Sequence, residues 1–179
     1  MAMQRKRGGK SMSSGPRYRI KLRRRREGKT DYRKRLGLLK SGKTRIVVRS
    51  SLKQMRVQFM DYDETGDKVL VSAMGSDLSS KYQWKHTTSN TPAAYLTGLL
   101  AGTRAKASGI THGVFDIGMK VPVSGSKVFA ALKGIHDAGI ECYVAEDKLP
   151  DESRIMGEHI DKKIAADVKT IKDTITGGK

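Results

Sequence analysis

Residues 112–145 read HGVFDIGMKVPVSGSKVFAALKGIHDAGIECYVA, and the reading of this stretch decides the architecture. HGVFDIG, at 112–118, is short, apolar and bounded by glycine, the pattern of a buried strand. The loop MKVPVSG follows. SKVFAALKGIHDA then carries Val128, Leu132 and Ile135 at helical spacing, and Gly139 ends the helix. IECYVA, at 140–145, is a second apolar strand. Strand, helix and strand at this spacing form a crossover unit, so the two strands are expected to run parallel.

Upstream, the pattern changes from crossover to meander. TRIVVRS, at 44–50, is β-branched and reads as a strand. QMRVQFMDY, at 54–62, alternates, with Met55, Val57 and Phe59 on one side and Arg56 and Gln58 on the other. DETGD is a turn, and KVLVSAM, at 68–74, is a third strand. Short connections make these three antiparallel. A polar loop, SDLSSKYQWKHTTSN, leads to TPAAYLTGLLAGTRAKASG. Asn90 or Thr91 can cap this helix, Pro92 suits its first turn and Gly109 ends it. Its many Ala and Gly residues suit close packing against a sheet. Ile160, Ile164, Val168, Ile171 and Ile175 recur at helical spacing near the end of the sequence, as in a helix packed on its own domain.

Of the 179 residues, 36 are Lys or Arg and 18 are Asp or Glu, for a formal net charge of +18. Residues 1–50 hold 19 of those cations and only two acids, Glu27 and Asp31; the rest of the chain is nearly neutral. MAMQRKRGGKSMSS, at 1–14, has too little apolar surface to order itself alone, and GPRYRIKLRRRREGKT is too charged to do so. Asp31 to Lys40, DYRKRLGLLK, can form a short helix with Tyr32, Leu36 and Leu39 roughly on one side, ended by Ser41 and Gly42. So many cations with so few acids repel one another unless a polyanion neutralises them. Bound to a nucleic acid they would release counterions. Arginine can also hold phosphate bidentately and stack on bases, and Tyr18 and Tyr32 lie among the cations. A flexible basic arm on a compact α/β body suits structured RNA better than duplex DNA.

GLLKSGKT, at 37–44, fits the phosphate-loop pattern GxxxxGK[ST] letter for letter. That loop needs a strand before it and a helix after it. Here a basic helix precedes and a strand follows, which argues against nucleotide hydrolysis. Asp116, in GVFDIG, is then a strand-end residue that caps a turn. A nuclease would need several carboxylates on one metal, and Asp116 is the one acid belonging to the expected core strand at 112–118, with Asp61 and Asp77 near the ends of others. The four histidines, His86, His112, His136 and His159, show no HxxxH or HExxH spacing. Cys142 is the single cysteine, so no disulfide forms within the chain, which is compatible with a reducing cytoplasm. Trp84, with Tyr82 and His86, can stack on bases or anchor a loop. No apolar run is long enough for a membrane span, and no apolar segment of a signal peptide follows the basic start.

Three stretches carry a resemblance: GPRYRIKLRRRREGKTDYRKRLGLLKSGKTRIVVRSS, NTPAAYLTGLLAG and FDIGMKVPVSGSKVFAALKGIHDAGIE. Together they resemble the family of large-subunit ribosomal protein eighteen, which binds 5S rRNA, in its archaeal form. The match runs from about Gly15 to Ile160. It implies a mixed five-stranded sheet with helices on its faces, related to the ribonuclease H-like arrangement, with no catalytic residue, metal or cofactor. It implies a cytoplasmic, ribosomal protein that helps attach 5S rRNA to 23S rRNA in the central protuberance, beside the ribosomal protein five family and other proteins there. The organisation expected is a basic RNA-binding arm at 1–30, an α/β body at 31–158 and a C-terminal helix or tail at 159–179. Carried across residue by residue, RNA contact is implied for Arg17, Tyr18, Arg19, Arg23, Arg24, Arg25, Arg26, Arg33, Lys34, Arg35, Lys40, Lys43, Arg45 and Lys127.

Overall fold

A computed structural model describes residues 15–177; the reading of residues 1–14 as unable to order alone lies outside them. The sheet has four strands: β1 (Arg45–Ser50), β2 (Met55–Asp61), β3 (Lys68–Met74) and β4 (Val114–Asp116), in the order β3-β2-β1-β4. The meander forms as expected, with β1 and β3 each antiparallel to β2. β4 joins β1 in parallel, with Arg45 opposite Val114 and Val47 opposite Asp116.

Alternation along the strands separates two faces. Ile46, Val48, Val57 and Phe59 are fully buried on one of them. Helices α4 (Thr91–Ala107) and α5 (Lys127–Asp137) cover that face. Asn90 caps α4 by accepting from Ala93 N at 2.9 Å. Every residue of α4 from Thr91 to Gly102 is buried, because helices enclose it as well as the sheet. Its glycines serve α5 rather than the sheet. A Cβ on Gly98 would meet Ala131 O at 2.0 Å, and one on Gly134 would meet Tyr95 O at 2.2 Å. The two backbones thus touch where both side chains are missing. Helix α7 (Lys162–Gly177) closes the outer side of α4 with Ile164, Val168, Ile171 and Ile175, all buried. The apolar stripe packs on its own domain, except Ile160, which is exposed.

Two elements differ from the sequence expectation. The polar loop after β3 begins as helix α3 (Gly75–Lys81), fixed by buried Leu78, whose carbonyl accepts from both Tyr82 N and Trp84 N. Trp84 anchors this corner: it is buried, and its indole N–H donates to Thr87 O at 3.1 Å. Segment 140–145 does not extend the sheet as a full strand. It makes one parallel bridge, His112 to Glu141, after which Tyr143 turns out to solvent. With Ile140 alone fully buried there, burial holds only its first residue in line. Cys142 packs against the core, and burial pushes its thiol up to about 11. No helix among the described residues is long and apolar enough to cross a membrane.

Candidate nucleic-acid interface

The other face of the sheet carries the chemistry. Residues 15–29 are all exposed, and this segment has one turn of helix, α1 (Arg23–Arg26). Tyr18, Ile20 and Leu22 stand 50%, 69% and 60% exposed, so the arm leaves apolar as well as cationic groups uncovered. Helix α2 (Tyr32–Leu39) starts at Asp31, whose carboxylate accepts from Arg33 N and Lys34 N. It buries no residue, and Leu36 is mostly exposed, so the expected apolar side is not a core face. Ser41 and Gly42, the latter with φ +63°, end it before β1. The order helix, turn, strand around GLLKSGKT is the reverse of a nucleotide-binding loop, and Lys43 is exposed.

Helix α2 and the arm stand off the sheet and leave a cleft of about 590 Å³. Six cations line it, Arg24, Lys29, Lys34, Arg35, Arg45 and Arg49, against three acids, Asp31, Asp67 and Asp116. A row of alternating charge crosses its floor. Arg35 Nη2 donates to both oxygens of Asp67, at 2.9 and 3.0 Å. Arg45 Nη2 lies 2.7 Å from the second of these oxygens, and its Nη1 is 3.6 Å from Asp116 Oδ2. Arg49 Nη2 donates to Asp116 Oδ1 at 3.2 Å. That oxygen also accepts from Gly118 N at 2.7 Å, so Asp116 caps the turn after β4 as well.

Burial pushes the Asp67 carboxyl up, but Arg45 and then Arg35 outweigh it and hold the group below the usual carboxylate range. A carboxyl depressed in the fold stabilises it above its unfolded value and loses that contribution as pH falls through the folded value. Urea midpoints measured from pH 6 downward are therefore expected to fall below about pH 4. Asp67→Asn is expected to flatten that acid limb; an unchanged limb would show that the pair contributes nothing.

The structure distributes the fourteen residues unevenly. Arg17, Tyr18, Arg19, Arg23, Arg25, Arg26 and Arg33 point to solvent along the arm and α2. Arg24, Lys34, Arg35 and Arg45 come together in the cleft. Lys40 lies past the end of α2, and Lys43 lines a separate hollow beside His112 and His136. Lys127 lines neither: half-buried, its ammonium donates to Ser89 O at 2.8 Å. Ser126 occupies the cap position of α5 without a side-chain hydrogen bond. Arg45 departs furthest from a surface role, at 3% exposed. Lys29 and Arg49 were missed. Arg49 was findable, since it is four residues from Arg45 on one strand and shares its face.

The family model for ribosomal large subunit proteins 60S L5 and 50S L18 matches residues 16–112. The chain is 51% identical over 149 residues to large ribosomal subunit protein uL18 of Aeropyrum pernix, covering 83% of this chain and 70% of that protein. It is 50% identical over the same length to its counterpart in Haloarcula marismortui, covering 79% of that protein. For the Methanothermobacter thermautotrophicus protein of that name the values are 52% and 77%.

Proposed function

Because this chain belongs to the family of large-subunit ribosomal proteins L5 and L18, structural constituents of the ribosome and not enzymes, we propose that it binds 5S rRNA and helps attach it to 23S rRNA in the central protuberance. Proteins of the ribosomal protein five family are its neighbours there. One observation carries the reading: the cations of residues 15–29 are all displayed on an exposed arm whose only acid is Glu27. The arm at 1–30 is the principal RNA contact, the body at 31–158 holds it in place, and 159–179 completes the body. The frame is the family's ribonuclease H-like arrangement, in which the residues around Glu141 take the place of the fifth strand. The parallel bridge at Glu141 supports this.

The test is binding of 5S rRNA against an unrelated RNA of equal length over a salt series. Preference for 5S rRNA is expected at every salt concentration, with log affinity falling linearly in log salt. Equal binding of both RNAs would reduce the reading to general polyanion attraction.

Contact at the start of α5 is a separate proposal. Gly125, with φ +67° and open space where a Cβ would be, lets RNA backbone approach, and Lys127 adds charge. Lys127→Glu is expected to weaken 5S rRNA binding and make the salt slope shallower by roughly 0.7–0.9 per lost phosphate contact. Since Lys127 also ties α5 to Ser89, the thermal midpoint is expected to drop slightly. A drop with unchanged affinity and slope would leave the lysine a purely internal tie.

A further inference from the structure

The cleft between α2 and the sheet holds a polar group without a partner. Arg45 is 3% exposed, yet its Nε and Nη2 donate no hydrogen bond. Nη2 is within 2.7 Å of Asp67 Oδ2, an ion pair by distance whose N–H bonds do not aim at the oxygen. These two nitrogens form one edge of the guanidinium, two parallel donors in a fixed fork. A buried donor left unpaired is costly, and an acceptor that reaches it recovers that cost. The matching ligand group has two adjacent acceptors.

Charge distinguishes which such group fits. Asp67 and Asp116 flank Arg45, so the cleft floor is close to neutral. A phosphate there would meet both carboxylates. The rim differs, since Arg24, Lys29 and Lys34 surround the opening. Between rim and floor, Leu38, Val47, Met60 and Ile117 give apolar lining, and about 590 Å³ is room for one nucleotide. We propose that this cleft takes a single unstacked guanine nucleotide of the bound RNA. Its phosphate meets the rim cations, its base lies along the apolar lining, and its O6 and N7 accept from the Nε and Nη2 edge of Arg45. This fork is the commonest way in which arginine reads guanine. The inference rests on the RNA-binding reading and adds a base-specific contact to it.

Two variants test it. Gly37 lines the cleft, and a Cβ there meets nothing within 4 Å, so Gly37→Leu adds bulk at the cleft from an open position and improves helix propensity. Arg45→Lys keeps the charge between the two aspartates and removes the fork. The full chain and both variants are titrated with GMP, AMP, UMP and inorganic phosphate by calorimetry, and the Arg45 side-chain N–H signal is followed by NMR in the two proteins that keep Arg45. GMP is expected to bind roughly tenfold or more tighter than AMP or UMP, and to lose that advantage in both variants. Equal binding of the three nucleotides, or displacement of GMP by phosphate at equal affinity, overturns the proposal. On 5S rRNA, one guanine N7 is expected to be shielded from dimethyl sulfate by the full chain and exposed again with Gly37→Leu. If both proteins bind the RNA and no guanine changes reactivity, the proposal fails while the ribosomal reading stands. If the full chain shows no preference for 5S rRNA, that reading fails, and the nucleotide titration still decides the cleft.

Discussion

Gly134→Ala is expected to leave the protein without a folded body. The added Cβ would lie 2.2 Å from Tyr95 O and 2.7 Å from Leu99 N, both backbone atoms of α4. A side chain can rotate away from such a contact, but a helix backbone moves only as a unit. Here α4 cannot withdraw, because the sheet lies on one side of it and α7 on another. Overpacking in a core ordinarily costs about 1–3 kcal/mol. A clash between two main chains that neither can relieve is expected to exceed about 4 kcal/mol, a large share of the stability of a typical domain. Circular dichroism and the fluorescence of Trp84, the one tryptophan, measure it. Gly37→Ala is the control: its Cβ meets nothing within 4 Å, so stability is expected to hold or rise slightly. A cooperative transition near the parent midpoint in Gly134→Ala would show that the α4–α5 contact yields more readily than its geometry implies.

Removal of residues 1–30 is expected to lower affinity for 5S rRNA by roughly a thousandfold at moderate salt, with a much shallower salt slope. The segment carries twelve Lys and Arg and one acid, and none of its residues from Gly15 to Lys29 is buried. The body is expected to stay folded with its urea midpoint nearly unchanged. The position of the cut matters. A cut after Arg35 would also remove the Asp31 cap, half of α2 and the bidentate partner of Asp67. A cut after Thr30 spares all three. Near-full affinity in the truncated protein would move the main RNA site onto the body.

Much of this was legible where signals are local. The three antiparallel strands followed from β-branched runs and short turns, and Asn90 with Pro92 marked the start of α4. The decoy at GLLKSGKT was resolved by the order of its neighbours, and α2 does precede β1. What escaped depends on distant pairings. Arg45 looked like one more surface cation, since nothing within several residues predicts its burial. Its partners Asp67 and Asp116 come from other segments and meet it only through strand pairing. Helix α3 escaped because its sequence, GSDLSSK, has one apolar anchor, Leu78, too few for a periodic pattern. Segment 140–145 is apolar enough for a strand, yet its pairing stops after Glu141.

The enclosure of α4 has a consequence for the chain as it is made. The walls around this helix come from both directions in sequence: β2 and β3 before it, and α5, the short helix α6 (Glu152–Met156) and α7 after it. Its partner α7 begins at Lys162, 55 residues beyond Ala107. At roughly 5–20 residues per second, several seconds pass between completion of the helix and arrival of its outer wall. For that time an apolar helix has only part of its cover, while the basic arm, synthesised first, already carries its charge. The slow step in maturation is therefore expected to be closure by α7, and an RNA engaged early through the arm would hold the nascent body apart from its neighbours until that closure is complete.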